Sequence, residues 1–306
     1  MKRRRFLSLL GVGMMLPLKA AVGRVIAPGV TLLTALKAAV ARASTPRATL
    51  LTAPLELGGD WGGSAPADAA VVIERMRAAC LARVALLSDR QPEKLRVDDR
   101  PGSYPSVWLH TEAPATGWIV VNVGTRDWCN LAYQIGHELG HVFCNSWEPD
   151  SKPRNPCQWI EEALVEAFSL RGLALLADDW AHAPPFPNDA AYAGSIRHYR
   201  ETILARYRTA ARDQGAGAGF GAWFKAHEAF LSEHGGVDAA RGAVTTMLGL
   251  LESDADMIED MGALNRWPGR SGIPLHDYLA LWEKSCAELN APGRLPVRIR
   301  ELLATR

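Results

Sequence analysis

Two histidines and a glutamate lie close together in the segment HELGH, residues 137–141. Histidines four residues apart lie on one face of a helix, one turn from each other. Both imidazoles of His137 and His141 can therefore reach one tetrahedral Zn²⁺, at about 2.0–2.1 Å each. Glu138 is displaced by about 100° around the helix, so its carboxylate reaches a water beside the metal rather than the metal itself. This spacing predicts a zinc site with two histidine ligands and Glu138 as general base.

A zinc site of this kind needs a third protein ligand, and the segment WIEEALVEAFSL, residues 159–170, offers acidic side chains. Glu162 and Glu166 are four residues apart and share a helix face, whereas Glu161 points about 100° away from that face. We predict Glu162 as the third ligand. We predict Glu166 as the acid that orients a ligating histidine through its other ring nitrogen. Taken alone, the segment also fits a helix with a solvated acidic face.

The segment with both histidines reads as an amphipathic helix that ends near Asn145. Thr125 is a candidate N-cap, and Asp127 lies in the first turn. Gly136 and Gly140 each cost about 1 kcal/mol relative to alanine inside a helix. Two such glycines indicate that something approaches this helix closely, such as a second backbone. The alternative is a solvated amphipathic helix whose two histidines are incidental.

The rest of the chain predicts an α+β fold, in which a small β-sheet and the HExxH helix precede a mainly helical C-terminal half. Residues 106–111 and 117–124 read as neighbouring strands, antiparallel if they pair. The expected helices cover residues 67–88, 158–177, 189–212, 219–234, 237–252 and 275–289, and three prolines make 146–156 a loop. We predict a leader over 1–43, an α+β subdomain with HExxH over 44–150, and a helical subdomain with the third ligand over 151–306.

The sequence HELGH, followed about twenty residues later by WIEEALVE, resembles the gluzincin metallopeptidases of the thermolysin-like superfamily. Members often carry WLNEGLAE at this place, so Trp159 matches the tryptophan, Glu162 the ligand and Glu166 the acid behind a histidine. Glu161 replaces the usual asparagine, and Ala163 the usual glycine. The resemblance covers roughly a tenth of the chain. It implies a zincin-like fold and an edge strand that holds substrate, and residues 106–111 lie at the expected place.

The predicted activity is hydrolysis of peptide bonds in a peptide or protein substrate. Glu138 takes a proton from the attacking water and passes it to the leaving amine. A tyrosine or histidine commonly stabilises the oxyanion of such a reaction, and we predict His198 and Tyr199 for that role. Two alternatives stay open. One is a catalytically silent zincin-fold binding protein, and the other is a zinc hydrolase of a non-peptide amide.

The N-terminus has the pattern of an export signal, with a basic head, an apolar stretch over residues 6–18 and then small residues. The apolar stretch is shorter than the roughly 20 residues of a membrane span. Arg3, Arg4, Phe6 and Leu7 resemble the twin-arginine signal, and a general secretory signal is the alternative. We predict a periplasmic or secreted protein, cleaved after Ala43 or nearer residue 21, with no membrane span in the mature chain.

Net charge limits the classes of partner that the protein can bind. The formal charge is +1, and residues 1–43 carry eight positive charges and no acid, so their removal leaves −7. A mildly acidic protein is a poor candidate for binding nucleic acid, because phosphate neutralisation supplies most of that affinity.

Among five cysteines, Cys144 and Cys157 flank the proline-rich loop and are the preferred disulfide pair if the protein is exported. The sequence gives no indication of the oligomeric state.

Overall fold

A computed structural model describes residues 49–85 and 88–305, and in this part of the chain a small sheet precedes a long series of helices. The strands are β1 (Leu55–Gly59), β2 (Lys94–Asp99), β3 (Ser106–Val107) and β4 (Thr116–Val121). They form one mixed sheet in the order β1-β2-β4-β3. The first two pairs are parallel, while β3 runs antiparallel to β4 at the sheet edge. The predicted α+β class is therefore confirmed.

Ten α-helices and two short 3₁₀ helices accompany the sheet in the described residues. The α-helices are α1 (Pro66–Cys80), α2 (Trp128–Phe143), α3 (Gln158–His182), α4 (Tyr192–Asp213), α5 (Phe220–Glu233), α6 (Val237–Ala240), α7 (Val244–Ser253), α8 (Met257–Met261), α9 (Leu275–Leu289) and α10 (Arg294–Ala304). The expected helix over 237–252 is in fact two, separated by a turn at 241–243. The expected helix over 67–88 ends earlier, because the chain turns after Cys80 and Arg83 adopts a positive φ of 69°.

The two strands expected from sequence pair in the antiparallel sense, with Ser106 opposite Val120 and Val107 opposite Ile119. The first of them is shorter than expected, because the chain leaves the ladder after the hydrogen bond from Trp108 N to Trp118 O. His110 then closes a local turn, with hydrogen bonds that join its ring to Thr116 O and Glu112 N. These bonds give His110 a structural role in this turn.

Helix α2 is fixed to the end of β4 through polar side chains. Gln134 accepts a hydrogen bond from Asn122 N at 2.8 Å and donates one to Asn122 O at 2.8 Å. Asp127, rather than Thr125, caps the helix by accepting from Asn130 N at 3.3 Å. The predicted cap was wrong because the Thr125 hydroxyl donates to Gly62 O instead. The polar side chains Asn130 and Gln134 thus tie α2, the helix with the two histidines, to the sheet.

Helices α2 and α3 pack at a distance that leaves no room for side chains at two positions, which confirms the predicted close approach. A Cβ atom on Gly136 would lie 3.0 Å from Ser169 Cα. One on Gly140 would lie 2.9 Å from Val165 Cβ and 3.2 Å from its Cα. The glycines therefore bring the histidines of one helix within reach of the acidic side chains of the other.

Replacing Gly140 by alanine is expected to lower the free energy of unfolding. The added methyl group overpacks a helix contact, and the net loss is about 1–2 kcal/mol after the gain of about 1 kcal/mol in helix propensity. Gly249 on α7 is the matched control, because a Cβ there meets nothing within 4 Å. Gly249→Ala is expected to stabilise by up to about 1 kcal/mol. Urea denaturation of both variants measures the difference, and equal behaviour would contradict the packing argument.

All five cysteines are free and buried in the structure, so the preferred Cys144–Cys157 disulfide was wrong. Both residues lie at helix ends, Cys144 after α2 and Cys157 before α3. The thiol of Cys157 is turned toward Ile273 O, at 3.3 Å, and takes part in packing against the loop before α9. Burial raises the pKa of this thiol to about 12, which disfavours the reactive thiolate.

Several predictions concern residues beyond the described ones. The export leader over 1–43 and both cleavage points lie outside residues 49–85 and 88–305. Within those ranges, no helix has both the length and the apolar composition that a membrane crossing requires. The boundary predicted between residues 150 and 151 stays a prediction. Helices α2 and α3, on either side of it, pack directly on each other.

Candidate metal centre

Helices α2 and α3 together bring three ligand atoms to one point. His137 Nε2 lies 3.2 Å from His141 Nε2. Glu162 Oε2 lies 3.7 Å from the first of these nitrogens and 3.8 Å from the second. The histidines are placed by the helical repeat of α2, whereas Glu162 is placed by the glycine-mediated approach of α3. These are the three residues that sequence spacing predicts as metal ligands.

The distances among these atoms fit a small tetrahedral cation. Ligands about 2.0–2.1 Å from a tetrahedral ion lie roughly 3.3–3.4 Å from each other, and the observed separations bracket that value. Two imidazoles and a carboxylate are a donor set that zinc accepts, with a fourth position free for water or substrate. Gln158 Nε2 lies 3.4 Å from Glu162 Oε1, so the second oxygen of this carboxylate also has a partner.

His141 is oriented from behind by a buried acid. Its Nδ1 lies 2.7 Å from Glu161 Oε1, which leaves Nε2 for the ion. Asn265, in the loop before α9, donates to Glu161 Oε2 at 2.6 Å and thereby holds the carboxylate in place. Tyr278 in turn donates to Asn265 Oδ1 at 3.4 Å. A chain of contacts therefore extends from the candidate centre into the C-terminal helices.

His137 has an equivalent arrangement on its other side. Its Nδ1 lies 3.4 Å from Glu166 Oε1, as the sequence predicts for the acid one turn after the ligand. The Tyr133 hydroxyl donates to both oxygens of Glu166, at 2.7 and 2.9 Å. Burial alone would raise the pKa of Glu166, but the contacts with His137 and Tyr133 lower it below its usual value. Glu166 is therefore held as a carboxylate that can accept the Nδ1 proton.

The centre concentrates negative charge that a cation would neutralise. Four buried acids, Glu138, Glu161, Glu162 and Glu166, surround two histidines. Burial would lower the pKa of His141, but the hydrogen bond to Glu161 and the nearby acids raise it to about 10. Buried charge is costly unless it is paired or coordinates a metal. A divalent cation at the point where the three ligand atoms meet would supply that pairing.

Glu138 lines the cavity that opens onto the ligand atoms. The cavity has a volume of about 350 Å³ and is also lined by His137, His141, Glu162 and the edge strand at Ser106 and Val107. The Glu138 side chain is almost fully buried, and burial raises its pKa. A carboxylate with a raised pKa binds a proton more readily near neutral pH, which suits a general base.

No family model matches this chain, and no curated protein or solved structure matches it either. The interpretation of the centre therefore depends on the geometry of this chain and on the motif resemblance.

The structure does not bring His198 or Tyr199 into this cavity. Both lie on α4, where His198 is exposed to solvent on a shallow surface with Asp127 and Ser195. Tyr199 donates from its hydroxyl to Asn130 Oδ1 at 3.2 Å, about two turns before His137 on α2. The oxyanion role predicted for the pair thus lacks support from placement, because neither side chain lines the cavity that opens onto the ligand atoms.

Two residues of the centre escaped the sequence reasoning. Glu161 was set aside as pointing away from the ligand face, and that same displacement brings it to the outer nitrogen of His141. A sequence signal existed for it, because Glu161 occupies the place of the usual asparagine beside the ligand. Asn265 has no such signal, since its distance along the chain from His141 hides the contact until the chain is folded.

Proposed function

We propose that this chain is an exported, zinc-dependent metallopeptidase of the gluzincin type, with His137, His141 and Glu162 as zinc ligands. The observation that carries the proposal is the convergence of these three side chains from two helices, all with ligand atoms within 4.8 Å of one another. The HExxH spacing and the resemblance of residues 159–166 to the gluzincin pattern support the same assignment.

The proposed reaction assigns a role to each acid of the centre. Bound zinc would polarise the scissile carbonyl and lower the pKa of a coordinated water. The Glu138 carboxylate accepts one proton from the attacking water as the new C–O bond forms. The same carboxyl group then donates that proton to the amine nitrogen as the C–N bond breaks. Glu161 and Glu166 keep the two imidazoles oriented throughout.

The edge strand offers backbone groups for an extended substrate. Trp108 N donates to Trp118 O, so Trp108 and, two residues earlier, Ser106 face β4. Val107 lies between them, and its N–H and C=O therefore point away from the sheet. Val107 also lines the cavity of the centre. A peptide added to β3 would be held by these groups, the recognition mode known as β-augmentation.

Metal removal tests the proposal directly. The purified mature chain is expected to contain about one zinc per molecule and to cleave peptides from a mixed-sequence library. Treatment with a chelator should abolish cleavage, and added zinc should restore it, because the three ligands stay in place on α2 and α3. Mass spectrometry measures the metal content and the cleavage products. A chain that binds no zinc at micromolar concentrations would contradict the proposal.

One observation favours the alternative of a catalytically silent zincin-fold binding protein. Among the described residues that line the cavity, there is no tyrosine and no histidine besides the two ligands, so an oxyanion donor of the usual kind is missing. Zinc bound without turnover of any amide would support that alternative. Cleavage of a small non-peptide amide, with peptides left intact, would support the other alternative, a zinc hydrolase of non-peptide amides.

A further inference from the structure

A second, larger cavity lies beside the candidate centre. Its volume is about 560 Å³, and it is lined by residues of α2, α3, α4 and the start of α6 and is open to solvent at Thr202 and Arg206. The walls combine aromatic, apolar and cationic side chains, among them Tyr133, Tyr199, Ile203, Arg206, Tyr207 and Arg241. Tyr133 contacts Glu166 behind His137, and the other five named residues have no part in the zinc chemistry proposed above.

The two cavities are neighbours along both helices of the centre. Tyr133 lies one turn before His137 on α2, and Glu166 lies one turn after Glu162 on α3. One helical turn is about 5.4 Å, and an extended peptide advances about 3.4 Å per residue. Val237, at the start of α6, lines both cavities and forms the border between them. A substrate group one or two residues from the scissile bond therefore reaches the second cavity.

The second cavity carries positive charge that the protein does not neutralise. Within residues 49–85 and 88–305, Arg206 forms no ion pair and no side-chain hydrogen bond. Arg241 pairs with Asp238, but both side chains are more than half exposed, so this pair contributes little. The acid in the wall, Glu166, already contacts His137 and Tyr133. The guanidinium of Arg206 is thus available to a ligand.

We propose that this cavity binds a carboxylate of the substrate next to the scissile bond, with Arg206 as its main anchor. The assignment of this carboxylate to a substrate rests on the proposed peptidase function, whereas its binding does not. The carboxylate belongs either to an acidic side chain or to the C-terminus of the peptide. A planar guanidinium suits both, because it can donate two parallel hydrogen bonds to a carboxylate. Arg206 is itself exposed to solvent, so the tyrosine rings and Ile203 form an apolar wall beside a charge pair that water partly screens.

The test measures binding without turnover, on the zinc-loaded protein with Glu138→Gln. Four peptides of one length are titrated by calorimetry, with glutamate or glutamine beside the central bond and with a free or amidated C-terminus. A carboxylate that fills the site is expected to tighten binding about 2- to 5-fold over its neutral counterpart, which is the range for a solvent-exposed ion pair. The pair of peptides that shows this difference identifies the source of the carboxylate.

The Arg206→Gln variant is expected to bind charged and neutral peptides equally. Arg208→Gln, on the same helix and paired with exposed Glu201, is the matched control and should keep the full difference. Equal affinity for all four peptides, no binding of any of them, or an undiminished difference in Arg206→Gln would overturn the proposal. A protein that binds the acidic peptide but never cleaves it, with Glu138 intact, would instead contradict the peptidase function.

Discussion

The Glu138→Gln variant is expected to keep its zinc and to lose peptide turnover by a factor of about 10²–10⁴, the usual contribution of a general base. Glutamine has nearly the same shape as glutamate but cannot take up the proton of the attacking water. The variant leaves the three proposed zinc ligands unchanged. Glu138 lines the cavity beside them, and its carboxylate is not one of the three groups whose ligand atoms converge. Single-turnover assays and zinc analysis of the same preparations measure both effects.

Glu228→Gln is the matched control for this variant. Glu228 lies on α5, is exposed, does not line the cavity of the centre, and forms no ion pair among the described residues, so its loss removes an equal charge outside that cavity. Its turnover and zinc content are expected to equal those of the unchanged chain. If Glu138→Gln and Glu228→Gln both cleave peptides at the full rate, another group is the base and the mechanism proposed for Glu138 is wrong. If neither variant nor the parent cleaves anything, the binding-protein alternative is favoured.

Loss of one ligand is expected to weaken zinc binding on the order of 10²–10³-fold, because a few ligands share the whole binding free energy. His141→Ala removes an imidazole and also leaves the buried Glu161 carboxylate with Asn265 as its remaining partner, which threatens the fold. Glu162→Gln avoids that problem, because it keeps the size of the side chain. Both variants should lose the metal in competition with a chelator that the parent protein withstands.

A graded effect is expected from the residue behind the ligand. Glu161→Gln keeps an acceptor for the Nδ1 proton but loses its charge and disturbs the hydrogen bond from Asn265. Changes of this kind typically weaken metal affinity about 10- to 100-fold. His276→Ala, an exposed histidine on α9, is the control and should bind zinc normally. For the preceding prediction, a Glu162→Gln variant that binds zinc as tightly as the parent protein would contradict the assignment of Glu162 as a ligand.

Much of the helical architecture could be predicted from sequence, because amphipathic periodicity is a local property of the chain. The expected helix over 275–289 matches α9 at both ends, and those over 189–212 and 219–234 match α4 and α5 closely. The parallel strands β1 and β2 went unnoticed. Their sequences LELGG and KLRVDD are short and partly polar, and their pairing depends on contacts about 40 residues apart.

The sequence by itself determined which candidate site residues lie close together on each of the two helices. His137, Glu138 and His141 share their arrangement through the regular geometry of α2, and Glu162 and Glu166 do so through that of α3. Gly136 and Gly140 also indicated a close contact at α2, because glycine destabilises a helix and is expected there only where a neighbouring element packs too closely for a side chain.

Only the tertiary structure decided what surrounds that group. It brought Glu162 to the histidines and Asn265 to the acid behind His141, and it placed Arg206 rather than His198 beside the centre. Contacts of this kind join residues that are far apart in the chain, so no local pattern encodes them. They depend on how whole helices pack, and that packing is set by the shape of all the buried side chains together.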